Sequence, residues 1–311
     1  MRIVVFGAGA LGSLMGFLLS KKHSVALVGR RRHVETINAD GLFVEGLGVC
    51  AGVVAATGVS SLVAPDLILI TVKAYDTEEA SAAISPIIGE ETIIASLQNG
   101  LGNMEKLAKV HGQRVVGGVT SWGSTLVGPG RVRFAGRGET IFGSPAGRRD
   151  LAERVSEAFS ESGVESGVTD NIEGEIWMKA IVNASINPIT AIAGCENSCI
   201  QDSPELREIA SLACAEGAEV ALAAGVRLPP CDPFSKVMSV VASTRDNRSS
   251  MLQDIEAGRR TEIEEISGAI AARGEELRVE TPTNVTLWKL VKFIEGRAVA
   301  TGRRTVRSGA D

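Results

Sequence analysis

The sequence predicts an α/β chain in which an N-terminal, doubly wound parallel sheet is followed by an all-helical C-terminal domain. Three observations predict it. Short, continuously apolar runs alternate with helix-length segments through the first half. A glycine-spaced turn separates the first such run from the first helix. Beyond about Asp170, apolar spacings of three and four take over almost completely.

Taken in order, Arg2–Phe6, Ser24–Val28, Asp66–Val72, Thr92–Leu97 and Arg114–Val119 are strand-length apolar runs. Leu11–Lys22 and Thr77–Ile88 have helical length and spacing between them. Strands that are apolar on both faces and separated by helices imply a parallel sheet covered on both sides. The stretch "GRVRFAGRGETIFG" (Gly130–Gly143) holds a Gly-Arg-Gly between two β-prone runs, which predicts an antiparallel hairpin. Glu173–Ile186, Pro204–Ala224, Asp232–Ser243, Ser250–Leu277 and Thr283–Glu295 then read as helices. The expected division is 1–168 for the sheet domain, 169–296 for the helical domain, and 297–311 for an aperiodic, mobile tail.

Composition narrows the function classes. With 311 residues, 44% hydrophobic and 22% charged, the chain has room for two ordinary cores. A net charge of −5 provides no field to gather a polyanion, so a nucleic-acid partner is not expected. Glycines interrupt the apolar N-terminus, and no other segment approaches membrane-spanning length, so no membrane association and a cytoplasmic setting are expected. The five cysteines are odd in number and scattered, which argues against a disulfide framework and for a reducing compartment. Cys195 and Cys199 form a C-x3-C pair with no second zinc-spaced pair, so no metal is expected.

"IVVFGAGALG" is a strand followed by G-x-G-x-x-G at Gly7, Gly9 and Gly12, opening a helix. The first glycine allows a tight turn, the second lets backbone approach a pyrophosphate, and the third permits close helix–strand packing. Unpaired N–H groups at the helix start then face the phosphates. This is the Rossmann-type dinucleotide signature. The second strand ends in "VGRRR" without an acidic residue, and Arg30 suits a ribose 2′-phosphate better than a 2′-hydroxyl. NADP(H) is therefore the expected cofactor. Lys73 and Asn99 follow the third and fourth apolar strands, where a ligand crevice opens in such sheets.

A dinucleotide domain joined to a helical one suggests hydride transfer to a small substrate held between them, and reduction of a carbonyl also needs a proton donor. His23, His33 and His111 all read as surface connections. Tyr75 is the only tyrosine and Glu79 follows it, so no Tyr-x3-Lys dyad exists. That leaves "EIWMKAIVNASINPITAI" (Glu175–Ile192), where Lys179, Asn183 and Asn187 fall four apart on an otherwise apolar helix. Partial desolvation would lower the lysine's pKa, and the two amides can orient a substrate without adding charge. A snorkelling lysine on a core helix is the plainer alternative. Pro188 should kink or stop the helix. Ser250 fits an N-cap with Gln253 closing a capping box, and Glu262 sits in "RRTEIEEI", which reads as a solvated helix face.

These pieces resemble the ketopantoate reductase (2-dehydropantoate 2-reductase) family over residues 1–296. The matching stretches are "GAGALGS", "VGR", "TVKAYDTEEA", "SLQNGLGN", "WMKAIVNASINPITAI", "SSMLQDIEAGRRTEIEEISGAI" and "TPTNVTLWKLVK". The resemblance implies that Gly7, Ala8, Gly9, Ala10, Leu11 and Gly12 bind the NADPH pyrophosphate and Arg30 its 2′-phosphate. It implies cofactor contacts for Lys73, Asn99, Gly123 and Glu262, proton donation by Lys179, and substrate contacts for Asn99, Asn183, Asn187, Asn197 and Ser250. The implied reaction is hydride transfer from NADPH to C2 of ketopantoate, giving pantoate. "GVTSWGSTLVGPG" (Gly118–Gly130), with Ser121 and Trp122, departs most from the family pattern. The alternatives are a reductase of another small branched 2-oxo acid and a non-catalytic NADPH-sensing module. The sequence does not fix the oligomeric state: the helical domain can bury a homodimer contact or stand as a monomer.

Overall fold

The structure, a computed structural model, describes residues 1–50 and 52–300, with 298–300 described by backbone alone. It divides into two compact units. Met1–Gln98 with Gly102–Ile172 form the first, and Asn99–Leu101 with the chain from Glu173 onward form the second. The chain thus changes unit at Glu173, a few residues beyond the expected boundary, and the second unit also includes three residues from the first half.

In the first unit the order is β1 (Arg2–Phe6), α1 (Ala10–Leu19), β2 (Ser24–Val28), α2 (Arg31–Asp40), β3 (Leu42–Glu45), β4 (Gly48–Cys50), β5 (Val54–Ala56), β6 (Leu67–Ile70), α3 (Thr77–Ile84), β7 (Ile93–Ser96), α4 (Asn103–His111), β8 (Val115–Thr120), β9 (Gly123–Gly128), β10 (Arg131–Gly136), β11 (Thr140–Gly143), α5 (Arg149–Glu161) and β12 (Ser166–Val168). The main sheet runs β12-β11-β8-β7-β6-β1-β2-β5. From β5 to β8 every neighbouring pair is parallel. The strand order reverses between β1 and β6, which is where an open α/β sheet opens its ligand crevice. All four residues of β6 and of β7 are buried, as a sheet covered on both faces requires. Phe142 and Phe159 meet edge to face with centroids 4.8 Å apart and fasten α5 onto β11.

The expected hairpin over Gly130–Gly143 does not form. β10 and β11 belong to different sheets: β10 pairs antiparallel with β9 and parallel with β3, whereas β11 pairs with β8 and β12. The turn that closes a hairpin is Gly128–Gly130, with Gly130 at φ +66°.

The second unit is helical: α6 (Ile172–Ala193), α7 (Ser198–Asp202), α8 (Pro204–Ala223), α9 (Pro233–Ser243), α10 (Ser250–Glu256), α11 (Ala269–Leu277) and α12 (Pro282–Ala300). Ile181 on α6, Ile200, Val220, Val237, Val241, Ile270 and Val291 are wholly buried, so α6 is packed by helices on several sides. Two expectations are corrected here, and a third is narrowed. Of the two outcomes expected at Pro188, a stop is excluded, since α6 continues to Ala193; within it Ser185 and Thr190 return hydroxyl bonds to the Ile181 and Ile186 carbonyls. The expected helix over Ser250–Leu277 breaks into α10, a loop, a π-helical turn at Glu264–Gly268, and α11. The last helix extends through 297–300, part of the expected tail; residues 301–311 lie outside the described residues.

Candidate active site

In the first unit the glycine turn is built as the motif requires. Gly7 has φ +117°, and a Cβ there would lie 2.5 Å from the Val72 amide nitrogen at the end of β6. A Cβ on Gly12 would collide with the Gly7 carbonyl oxygen and the Thr71 hydroxyl, so α1 can approach β1 only because residue 12 has no side chain. By contrast a Cβ on Gly9 would meet nothing closer than 4.0 Å, which leaves the backbone open on that side. Gly9 is the N-cap of α1 and no side chain caps it, so the N–H groups of Ala10, Leu11 and Gly12 start the helix without a side-chain acceptor at the cap. Ala8 donates to the Val28 carbonyl at 2.8 Å, tying this turn to the end of β2. Such a cradle fits a dinucleotide pyrophosphate.

Arg30 follows that strand end as the exposed N-cap of α2, with Arg31 and Arg32 also exposed. Lys73 follows β6 and is half-buried; its carbonyl accepts from the Asp76 amide at 2.8 Å. Gly123 begins β9 in the small sheet β4-β3-β10-β9, half-buried and close to Ala135. In the departing loop, Trp122 is buried and its ring lies 5.7 Å from that of Phe134.

The first unit also holds supports that the sequence did not suggest. The Thr71 hydroxyl donates to the Gly7 carbonyl at 2.8 Å, and Gln98 Nε2 donates to the Val72 carbonyl at 3.1 Å. His33 is no surface residue. It is buried on α2, where Nδ1 accepts from the Gly130 amide at 2.9 Å, so Nε2 carries the proton toward Ser13 Oγ at 3.0 Å. Burial pushes its pKa down. Val34 and Ile37 mark the buried face of α2, and the helical period puts residue 33 on that face, a signal the spacing already held. His23 is likewise enclosed, its Nε2 2.9 Å from the Ala158 carbonyl.

In the second unit Lys179, Asn183 and Asn187 all lie on α6. Lys179 and Asn183 are half-buried, and Asn187 is 8% exposed. Burial pushes the Lys179 ammonium down to about 8, while the Glu262 carboxylate pulls it back up. Glu262 is not on a solvated helix face. It is 5% exposed, in the loop before the π-helical turn, and its Oε2 accepts from Asn99 Nδ2 at 3.3 Å. Asn99 is held in this unit because the Leu101 amide donates to the Glu265 carbonyl at 2.8 Å, with Gly100 pressed against that same carbonyl. The structure therefore brings Lys179, Glu262 and Asn99 into one electrostatic neighbourhood.

The cap of α10 is Ser249, not Ser250. The buried Ser249 Oγ accepts from the Leu252 amide at 3.2 Å and lies 2.8 Å from Thr190 Oγ1 on α6, leaving Ser250 exposed at the first helical position. With Ser249 as the cap, Gln253 stands one place beyond the capping-box position, and its amide donates to the Arg248 carbonyl at 2.8 Å. Asn197 stands at the N-cap position of α7 without a side-chain cap bond and is 7% exposed. It lies between Cys195 and Cys199, which form a disulfide, so the scattered-thiol expectation is corrected at this pair. Cys50, Cys214 and Cys231 are free. Among the described residues no cluster of three or more His, Cys, Asp or Glu could hold a metal, and no helix is long and apolar enough to cross a membrane.

A glycine cradle at the reversal point of a parallel sheet is the mark of a dinucleotide-binding protein. Comparison with known proteins gives the particular kind. Residues 3–147 match the family described as ketopantoate reductase PanE/ApbA, and residues 171–295 match its C-terminal counterpart. The 2-dehydropantoate 2-reductase of Pyrococcus horikoshii is 42% identical over 297 residues, 95% of this chain and 98% of that protein. A PanE/ApbA family ketopantoate reductase structure from Ralstonia eutropha JMP134 superimposes with TM-score 0.89 at 30% identity, covering 96% of this chain and 100% of that one. D-mandelate dehydrogenase in a ternary structure with NADH and anilino(oxo)acetate superimposes with TM-score 0.90 at 29% identity, again over 96% and 100%. The chain belongs to the ketopantoate reductase family and is an oxidoreductase.

Proposed function

We propose that this protein reduces 2-dehydropantoate to pantoate with NADPH, Lys179 supplying the proton. The observation that carries this reading is Lys179 itself, whose pKa of about 8 keeps the ammonium protonated at neutral pH yet near enough to release its proton. The reduced nicotinamide, when bound, supplies the hydride for the C2 carbon. The chain's own groups do the rest. The Gly7–Gly12 backbone takes the pyrophosphate, Arg30 takes the 2′-phosphate, and Lys73 and Gly123 complete the cofactor contacts. Lys179 donates to the carbonyl oxygen as negative charge develops there, and the Glu262 carboxylate keeps enough charge on the lysine to do so. Asn99, Asn183, Asn187, Asn197 and Ser250 orient the 2-oxo acid.

A second reading, a reductase of a different 2-oxo acid using NADH, is favoured by the likeness to D-mandelate dehydrogenase with NADH. Following dinucleotide oxidation with 2-dehydropantoate, 2-oxoisovalerate and an aryl 2-oxo acid separates the two. The highest kcat/KM is expected for 2-dehydropantoate with NADPH; preference for either other acid rejects the proposal. Arg30→Ala should raise KM for NADPH by about tenfold or more while leaving KM for NADH nearly unchanged, as loss of a charged hydrogen bond to one phosphate requires. An equal effect on both cofactors would move the 2′-phosphate contact elsewhere.

A further inference from the structure

Asn197 is clamped from two directions. On one side is the segment after α9: the Asn197 amide donates to the Asn247 carbonyl at 3.0 Å, the Ser198 amide to the Arg245 carbonyl at 3.0 Å, and Asn197 Nδ2 to Thr244 Oγ1 at 2.9 Å. Thr244 Oγ1 directs its own proton to the Val240 carbonyl at 2.7 Å, so toward Asn197 it can only accept. That fixes the amide, nitrogen toward Thr244, and leaves Oδ1 as a buried acceptor with no hydrogen-bond partner among the described residues. Such an atom costs free energy until a donor meets it, and this one is held in place in advance. On the other side, the Cys195–Cys199 disulfide closes the five-residue turn in which Asn197 is the central residue. Gly194, at φ +68°, leads into that turn, where its own amide and that of Cys195 donate to the Thr190 carbonyl at 2.9 and 3.2 Å, so the bridge is what ties the far end of the turn at Cys199 back to this anchored start.

We propose that the disulfide and the Thr244–Asn247 strap form a redox-sensitive clamp that positions Asn197 for the substrate, so that reducing Cys195–Cys199 weakens substrate binding. The inference rests on the reading of Asn197 as a substrate contact. The chemistry needs a dithiol reductant. One of its thiolates attacks a cysteine sulfur, the S–S bond breaks to give a mixed disulfide, and its second thiolate releases the other thiol. Two electrons and the dithiol's own two protons pass to the cystine sulfurs, and the dithiol is oxidised to its own disulfide. Both cysteines are half-buried rather than enclosed, so a small dithiol can reach them. Freed of its bridge, the turn must be ordered again at each binding event, and that cost falls on affinity more than on chemistry.

The test uses the full-length enzyme with saturating NADPH, assayed before and after dithiothreitol, with reactive thiols titrated under denaturing conditions. The thiol count should rise from the three free cysteines to all five. The KM for 2-dehydropantoate should rise about tenfold with kcat changed less than about twofold, and reoxidation should restore it. A Cys195→Ser/Cys199→Ser double variant should hold the raised KM and ignore the reductant. Thr244→Val should raise KM similarly, and Thr244→Ser, which keeps the acceptor, should restore it. A thiol count of five before reduction, or an unchanged KM once five are counted, overturns the clamp. Asn197→Ala separates the layers. If it leaves KM unchanged, the substrate contact itself is wrong; if it raises KM while reduction and Thr244→Val do not, only the clamp fails.

Discussion

Lys179 carries a charge where burial opposes it. Its ammonium has a lower pKa in the folded chain, about 8, than the ordinary lysine value of about 10.4 in an unfolded one. Folding therefore expels a proton between those values. The penalty on stability is fully present below about pH 8 and fades as pH rises toward the unfolded pKa. The stability of the native enzyme relative to a Lys179→Met variant should therefore rise between about pH 8 and pH 10, read as Tm against pH for both, while the variant lowers kcat by roughly 10²–10⁴, the usual worth of a positioned acid. Unchanged turnover in that variant would remove Lys179 from the mechanism. In the native enzyme kcat/KM for reduction should be flat below about pH 8 and fall above it. Glu262→Gln removes the charge that pulls the lysine's pKa up, so the alkaline limb should move to lower pH; a limb that stays put would uncouple the two residues. The stripe of Lys179, Asn183 and Asn187 was legible because polar residues at intervals of four stand out on an apolar helix. Glu262 was not, because its burial comes from residues distant in sequence, Asn99 among them.

At the scale of elements, a one-residue offset shows how local signals mislead. Ser249 and Ser250 are chemically identical and adjacent, and Gln253 stands three residues after the second, so a capping box was the natural inference. In the folded chain Ser249 is the one facing Thr190, and that contact decides which serine caps α10. Ser249→Ala should lower stability by about 1 kcal/mol, the loss of a cap, and Ser250→Ala by much less; chemical denaturation of both variants tests the assignment. β1 and β2 are legible to the residue, since apolar runs bounded by glycine or polar residues leave little choice of ends. The small sheet is not legible, because its central pair, β3 with β10, joins segments almost ninety residues apart and nothing in either announces the other. The disulfide is not legible for a related reason: a C-x3-C spacing is equally consistent with free thiols.

For the whole molecule, two separately cored units mean that ligands need not act on both alike. NADPH binding the glycine cradle at about 100 times its Kd should add about 2.7 kcal/mol to whatever unfolds together with the sheet. In calorimetry, a second, unshifted transition would show the helical unit melting independently; a single shifted one would show the units melting together. The broad division into a sheet half and a helical half was legible from the change in periodicity near residue 170. The three residues Asn99–Leu101 were not, because they sit between a buried strand and a helix of the other unit and carry no compositional mark. Their placement bears on how this protein can be taken apart. A polypeptide beginning at Glu173 would contain every helix of the second unit, yet it would lack the asparagine that meets Glu262 and the amide that meets the Glu265 carbonyl. No single cut in the chain yields that unit whole, so gene fragments divided at the apparent border should need each other's presence to regain the full set of contacts.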